Sequence, residues 1–324
     1  MENSKSSKST ELLRQTVGLC LDRHAAAPQS LVAGFSGGID STVLLHCLRQ
    51  LAPVRQLPLS ALHVHHGLSP QADAWEAHCR SMCAEWDIPL AVARVDVERG
   101  SRDGLEASAR RARHEAFRRT SGDWIVLAHH RDDQAETLLF NLLRGTGLRG
   151  AAAMSETNGR LLRPLLDVGQ DAIENYAREQ GLRWVDDESN ADTRFSRNHL
   201  RHQVLAGLEK RFPGSAANLA AASRRFAEAR SLLDDLAGID LGSHAHDFPL
   251  DANLLAALDE PRGRNLLRYL LQRRHVGIPS EERLREALRQ LTQAAPDRHP
   301  AIVLGAWRLL RRGGKVALEP AQDG

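Results

Sequence analysis

The first half of the chain alternates between two kinds of segment. Short runs rich in Val, Leu and Ile at residues 31–35, 59–65, 90–97 and 124–128 read as buried strands. Helical patterns at 40–51, 72–86, 104–120 and 132–144 separate them. Strands that alternate with helices are joined by right-handed crossovers, which predicts a Rossmann-like α/β fold, a parallel sheet with helices on both faces. Ligands of such sheets bind at the carboxyl ends of the strands. The loops that matter are then those at 36–41, 65–70, 98–104 and 129–133.

With 324 residues, two domains are expected rather than one. A further helical pattern at 169–181 and a polar stretch at 186–197 lead to Phe212, Pro213 and Gly214, a boundary signal. This predicts a catalytic domain over 1–212 and a smaller, mainly helical domain over 213–324, with an Ala- and Arg-rich helix at about 215–236. Residues 1–10 are polar, rich in Ser and Lys, and lack the apolar core of a secretory signal, so they are expected to be disordered. No apolar run reaches membrane-spanning length. The four cysteines form no CxxC pair, which disfavours a thiolate zinc site or a redox dithiol and fits a reducing cytoplasm. Arginines crowd two regions, one including Arg194, Arg197, Arg201, Arg224 and Arg230, the other Arg262, Arg264, Arg268, Arg273 and Arg274. Such clusters are either phosphate contacts or solvated helix faces.

The stretch "FSGGIDST" at 35–42 joins the first strand to the first crossover helix. A helix N-terminus there offers unpaired amides and a positive dipole end, and Gly37 and Gly38 let an anion approach closely. Ser36 and Ser41 add hydroxyls, with Ile39 contributing backbone only. The pattern is not a Walker A motif, since no Lys follows the glycines. Asp40 beside a phosphate calls for a cation between them, which suggests Mg²⁺. The structural alternative is a Gly-Gly turn with Asp40 or Ser41 as a helix cap. A second cluster, "AHHRDDQAET" at 128–137, opens the helix after the fourth strand and so reaches the same sheet edge. Its apolar stripe holds Ala135, Leu138, Leu139, Leu142 and Leu143, while Asp133, Glu136, Thr137 and Phe140 share another side. Carboxylates facing a phosphate cradle suit a metal or an amine.

"SGGIDS" is similar to the signature loop of the N-type ATP pyrophosphatases, or PP-loop enzymes. Together with "HVHHGLS" at 63–69, "EASARRARHEAF" at 106–117, "AHHRDDQAETLLFNLLRGTG" at 128–147, "LRPLL" at 162–166 and "DDESNADTRFSRNHLR" at 186–201, it resembles the tRNA(Ile)-lysidine synthase branch. The resemblance implies ATP-dependent joining of free L-lysine to C2 of the wobble cytidine in a CAU-anticodon isoleucine tRNA, through an adenylated tRNA, with AMP and pyrophosphate released. Ser36, Gly37, Gly38, Ile39, Asp40 and Ser41 would hold ATP, with Asp40 on Mg²⁺ and His65 at the adenine. Asp133 and Glu136 are candidates for lysine recognition and base catalysis, with Asp132 as their helix-capping neighbour. Arg113 would clamp the α-phosphate or the activated base, paired with Arg110; Arg111 is expected to be solvated. Family members often carry Tyr where this chain has His114. Asn190, Arg197, Asn198 and Arg201 are expected to contact tRNA or phosphate, Arg201 foremost. The histidines near strand ends, His63, His65, His66, His129 and His130, lack a zinc motif. Longer family members carry a further C-terminal domain, which is expected to be missing here. Oligomeric state stays open, a homodimer included. The alternatives are another adenylating PP-loop enzyme, such as a tRNA thiolase, or a non-catalytic, nucleotide-gated RNA-binding module.

Overall fold

The computed structural model describes residues 2–98, 105–186, 188, 196–295 and 298–321, with the side chains of all but 2–9 and 106. Asn190 and most of the 98–104 loop lie outside the described residues. The chain divides into two compact units, Met1–Ala227 and Glu228–Gly324. The division falls fifteen residues beyond the expected boundary at 212, inside a long helix, Ser215–Leu241, where no break in the backbone marks it.

The first unit is built on a six-stranded sheet in the order β3-β2-β1-β4-β6-β5. Its strands are β1 (Leu31–Gly34), β2 (Leu59–His65), β3 (Leu90–Arg94), β4 (Trp124–Val126), β5 (Thr157–Asn158) and β6 (Leu161–Leu162). All neighbours pair in parallel except β5 with β6, the antiparallel edge. Leu31 stands opposite Leu59 and Trp124, and Ala33 opposite Ala61 and Val126. The helices are α1 (Glu2–His24), α2 (Ile39–Leu51), α3 (Ala72–Glu85), α4 (Leu105–Arg119), α5 (Arg131–Leu143), α6 (Leu148–Ala151), α7 (Gln170–Glu179), α8 (Ser196–His199) and α9 (Ala206–Arg211). Strand alternation sends Leu31, Ala33 and Phe35 to one core with residues of α1, α2, α3 and α7. It sends Val32, Leu62 and Ile125 to the other face, against Phe117 of α4.

Residues 2–10 belong to α1 rather than to a disordered tail. Leu13, Val17, Cys20 and Leu21 of that helix are buried in the larger core, and upstream no Gly or Pro interrupts propagation of the helix toward Glu2.

The second unit is less purely helical than expected. The later part of α10 (Ser215–Leu241), from Glu228 on, with α11 (Ala252–Ala257), α12 (Glu260–Arg273) and α13 (Glu281–Gln293), accompanies β7 (Leu250–Asp251), β8 (Ala301–Leu304), β9 (Trp307–Arg312) and β10 (Lys315–Pro320). These strands form an antiparallel sheet in the order β7-β10-β9-β8. The β9–β10 turn is made by Gly313 and Gly314, both at positive φ (56° and 73°), the conformation a two-residue hairpin turn requires. Leu266, Leu270, Leu284, Leu309 and Val316 meet in its core. The second arginine cluster is largely neutralised: Arg262 pairs with Asp240, Arg264 and Arg268 with Glu281, and Arg274 with Asp247.

If α1 is an integral layer, Leu21→Ala removes a fully buried side chain from the core and destabilises the protein by about 2–5 kcal/mol. Urea unfolding should show a lower midpoint at unchanged slope; an unmoved midpoint would mean that α1 does not pack as described.

Candidate active site

Strand order reverses between β1 and β4, so the crevice of this sheet opens at their carboxyl ends. Both conspicuous motifs lie there. After β1, Gly37 takes φ +87°, a conformation that favours glycine, and a Cβ at that position would meet Cys79 Sγ at 3.0 Å and Val185 Cγ2 at 3.1 Å. Its carbonyl accepts from the Val185 amide at 2.9 Å and from Thr42 Oγ1 at 3.3 Å. α2 starts without a side-chain cap, and its first bond runs from the Thr42 amide to the Gly38 carbonyl at 3.0 Å. The amides of Ile39, Asp40 and Ser41 therefore have no acceptor within the helix. Ser36 Oγ and Ser41 Oγ lie 3.1 Å apart at this end, and the Gly38 amide donates to Ser36 Oγ at 3.3 Å. This arrangement is suited to cradle an anion.

After β4, His130 caps α5. Its amide donates to Asp133 Oδ2 at 3.0 Å. Its ring is buried, with Nε2 3.8 Å from Asp40 Oδ2 and 3.5 Å from Asp133 Oδ2. Nδ1 lies 3.3 Å from the Asp132 amide and 3.6 Å from Asp132 Oδ2; imidazole accepts from the first, imidazolium donates to the second. Asp132 Oδ2 also accepts from the Gln170 amide at 3.0 Å, so it caps α7. Arg201 completes the site from a distant part of the chain. It stands in a wider, π-helical turn, Leu200–Leu205, between α8 and α9. Its Nε donates to Glu136 Oε1, and its Nη2 to Asp133 Oδ1 at 3.0 Å.

Burial raises the pKa of Asp40 and Glu136, with Arg201 opposing the rise. Burial would raise Asp133 as well, but His130 and Arg201 hold it below the usual carboxylate range. Burial opposes charging His130, yet Asp132, Asp133 and Asp40 push it up to about 9. Four acidic side chains thus face Arg201 and His130. Asp40 Oδ1 is buried without a hydrogen-bond partner, an oxygen donor suited to a hard cation beside the cradle.

On the other side of the crevice the charge is positive. Burial and Arg113 lower His66 to about 4. Burial, with Arg163, Arg113 and Arg110, outweighs Asp133 and lowers His129 to about 3. Arg163, just after β6, is only 5% exposed; it donates to the Ser155 carbonyl at 2.9 Å, and its Nε has no partner.

The structure brings Ser36, Gly37, Gly38, Ile39, Asp40, Ser41, Asp132, Asp133, Glu136 and Arg201 together. His65 ends β2, but its ring pairs with Asp73 at 3.1 Å and its carbonyl accepts from the Val95 amide. His65, Asp73 and Glu76 offer donor atoms within 4.8 Å of one another, although Arg94 and Arg80 already neutralise the acids. Arg197 lies 5.7 Å from the Phe140 ring, and Asn198 is half-buried on α8. The role of His130 was not foreseen, although a His followed by acids two and three residues later has the spacing of a cap.

Residues 5–208 match the family described as the PP-loop domain, and 250–316 match the TilS substrate binding domain. A tRNA(Ile)-lysidine synthase of Aromatoleum aromaticum is 47% identical over 306 residues, covering 93% of this chain and 71% of that protein. Another of Nitrosomonas europaea is 42% identical over 300 residues, covering 90% and 66%. The chain thus spans about two thirds of the length of these relatives. Among solved structures, the U34-tRNA thiolase NcsA of Methanococcus maripaludis, with its [4Fe-4S] cluster, aligns at TM-score 0.58 and 19% identity over 68% of this chain and 80% of its own, a likeness of fold. With a PP-loop domain followed by this substrate-binding module, the chain belongs to the tRNA(Ile)-lysidine synthase family, whose members are ATP-using ligases.

Proposed function

We propose that this chain joins L-lysine to C2 of the wobble cytidine of a CAU-anticodon isoleucine tRNA at the expense of ATP, in the cytoplasm. The observation that carries this reading is Arg201 held between Asp133 and Glu136, beside Asp40 and the cradle. Lysine is an anion at one end and a cation at two nitrogens. Arg201, whose side chain keeps 39% of its exposure, meets the carboxylate. Glu136 and Asp133 meet the amines.

The C2 carbonyl oxygen of the cytidine attacks the α-phosphorus of ATP, and pyrophosphate leaves. The amides at the start of α2, with Ser36 and Ser41, stabilise the charge on the departing group. Mg²⁺, held by Asp40, would neutralise phosphate charge at the cradle. The ε-amine then adds at C2 and AMP is expelled. The proton released goes to the Asp133–Glu136 pair.

Radiolabelled lysine should enter acid-insoluble tRNA(Ile) carrying CAU only when ATP and Mg²⁺ are present, and should not enter a methionine tRNA with the same anticodon. Absence of label from a protein that still binds ATP would overturn the reading. Asp133→Asn keeps an oxygen to accept the His130 amide, so it should preserve ATP affinity while abolishing lysine transfer; undiminished turnover would remove Asp133 from the reaction. For Arg201→Ala, loss of a charge-assisted contact worth about 1.5–3 kcal/mol predicts a KM for lysine about 10- to 150-fold higher. An unchanged lysine KM would assign Arg201 elsewhere.

A further inference from the structure

The arginines of α4 do more than the sequence pattern implies. A cavity of about 690 Å³ lies between α4 and the β5–β6 hairpin. Arg110, Arg111, His114, Phe117 and Arg118 line it from α4 and Arg160 from the hairpin, and among the described residues none that lines it is acidic. Phe117 and Ile125, both buried, belong to its apolar floor. Arg160 fixes the wall: its guanidinium donates to the carbonyls of Phe117, Arg118, Thr120 and Gly122 at 3.4, 3.1, 3.2 and 2.5 Å, tying the hairpin to the end of α4. Glu115 is one carboxylate shared by Arg118 and Arg119, and Arg111 donates to a neutral group, Ser108 Oγ, at 3.0 Å. Arg111, exposed as expected, also lines this groove.

Arg110 lines the groove, and its charge also acts on Arg163 and His129 of the crevice. Resting on the proposed function, we infer that this groove carries the sugar–phosphate backbone of the anticodon strand away from the reacting cytidine, with Arg111 and Arg118 on different phosphodiesters. These two residues stand seven apart, or about 10.5 Å along the helix, too far to share one phosphate but suited to two of the same strand.

The test measures the Kd of the full chain for CAU-anticodon tRNA(Ile) across a salt series, with ATP affinity measured in parallel. Arg111→Ala combined with Arg118→Ala should flatten the slope of log Kd against log salt by about 1.4, from two contacts at about 0.7 each on a single strand. RNA affinity should fall about tenfold or more at moderate salt, with ATP affinity unchanged. Arg111→Lys with Arg118→Lys keeps the charges and should keep the slope. An unchanged slope in the alanine pair overturns the groove, and so does an equal loss in the lysine pair, which would indicate packing rather than charge. Wild-type protein that binds ATP but no RNA overturns both the groove and the function it rests on. RNA binding with the predicted slope change but without lysine transfer upholds the groove and overturns the function alone.

Discussion

Carboxylates drawn into a buried corner must be met by positive charge, because an uncompensated buried ion costs several kcal/mol. Asp40, Asp132, Asp133 and Glu136 share such a corner, and the chain meets them with two groups of different kinds. His130 stands at the start of the helix that carries Asp132 and Asp133, and it is charged because these two and Asp40 surround it. Arg201 comes from 65 and 68 residues away and spans Glu136 and Asp133 with separate nitrogens. Holding that guanidinium against α5 is what the wide turn at Leu200–Leu205 accomplishes, since an extra residue in the turn re-aims the side chains around it. The site is thus a constraint on the fold as well as a product of it: α5, α7 and the α8–α9 segment are all tied to one group of charges.

The parts of this arrangement that were legible in the sequence are local. The glycine loop reads as a cradle because Gly37, Gly38 and the start of a helix lie within a few residues, and the acids of α5 because they follow a strand at the same sheet edge. Arg201 was picked out through the resemblance, but its partners were not, since a contact across 65 residues leaves no periodic trace. Asp132 was read as a cap, yet the helix it caps is α7, not its own. The hairpin at Gly313 and Gly314 carried a plain local signal that the terminal apolar run obscured. In α1 the polar first ten residues outweighed the buried stripe that follows, although that stripe is what holds the helix in place.

The crevice divides by charge, and the division suits a reaction that handles ions of both signs. Under the proposed function, phosphate oxygens would find donors in the α2 amides. An incoming amine would find carboxylates in Asp133 and Glu136. Asp133 and Arg163 both act on His129, from opposite signs of charge. Burial and the arginines keep it neutral despite Asp133, so it adds no charge of its own. His66 is neutral for the same reasons. Two uncharged histidines next to one strongly charged one, His130, show how position alone assigns their states: the first two face arginines, the third faces three carboxylates.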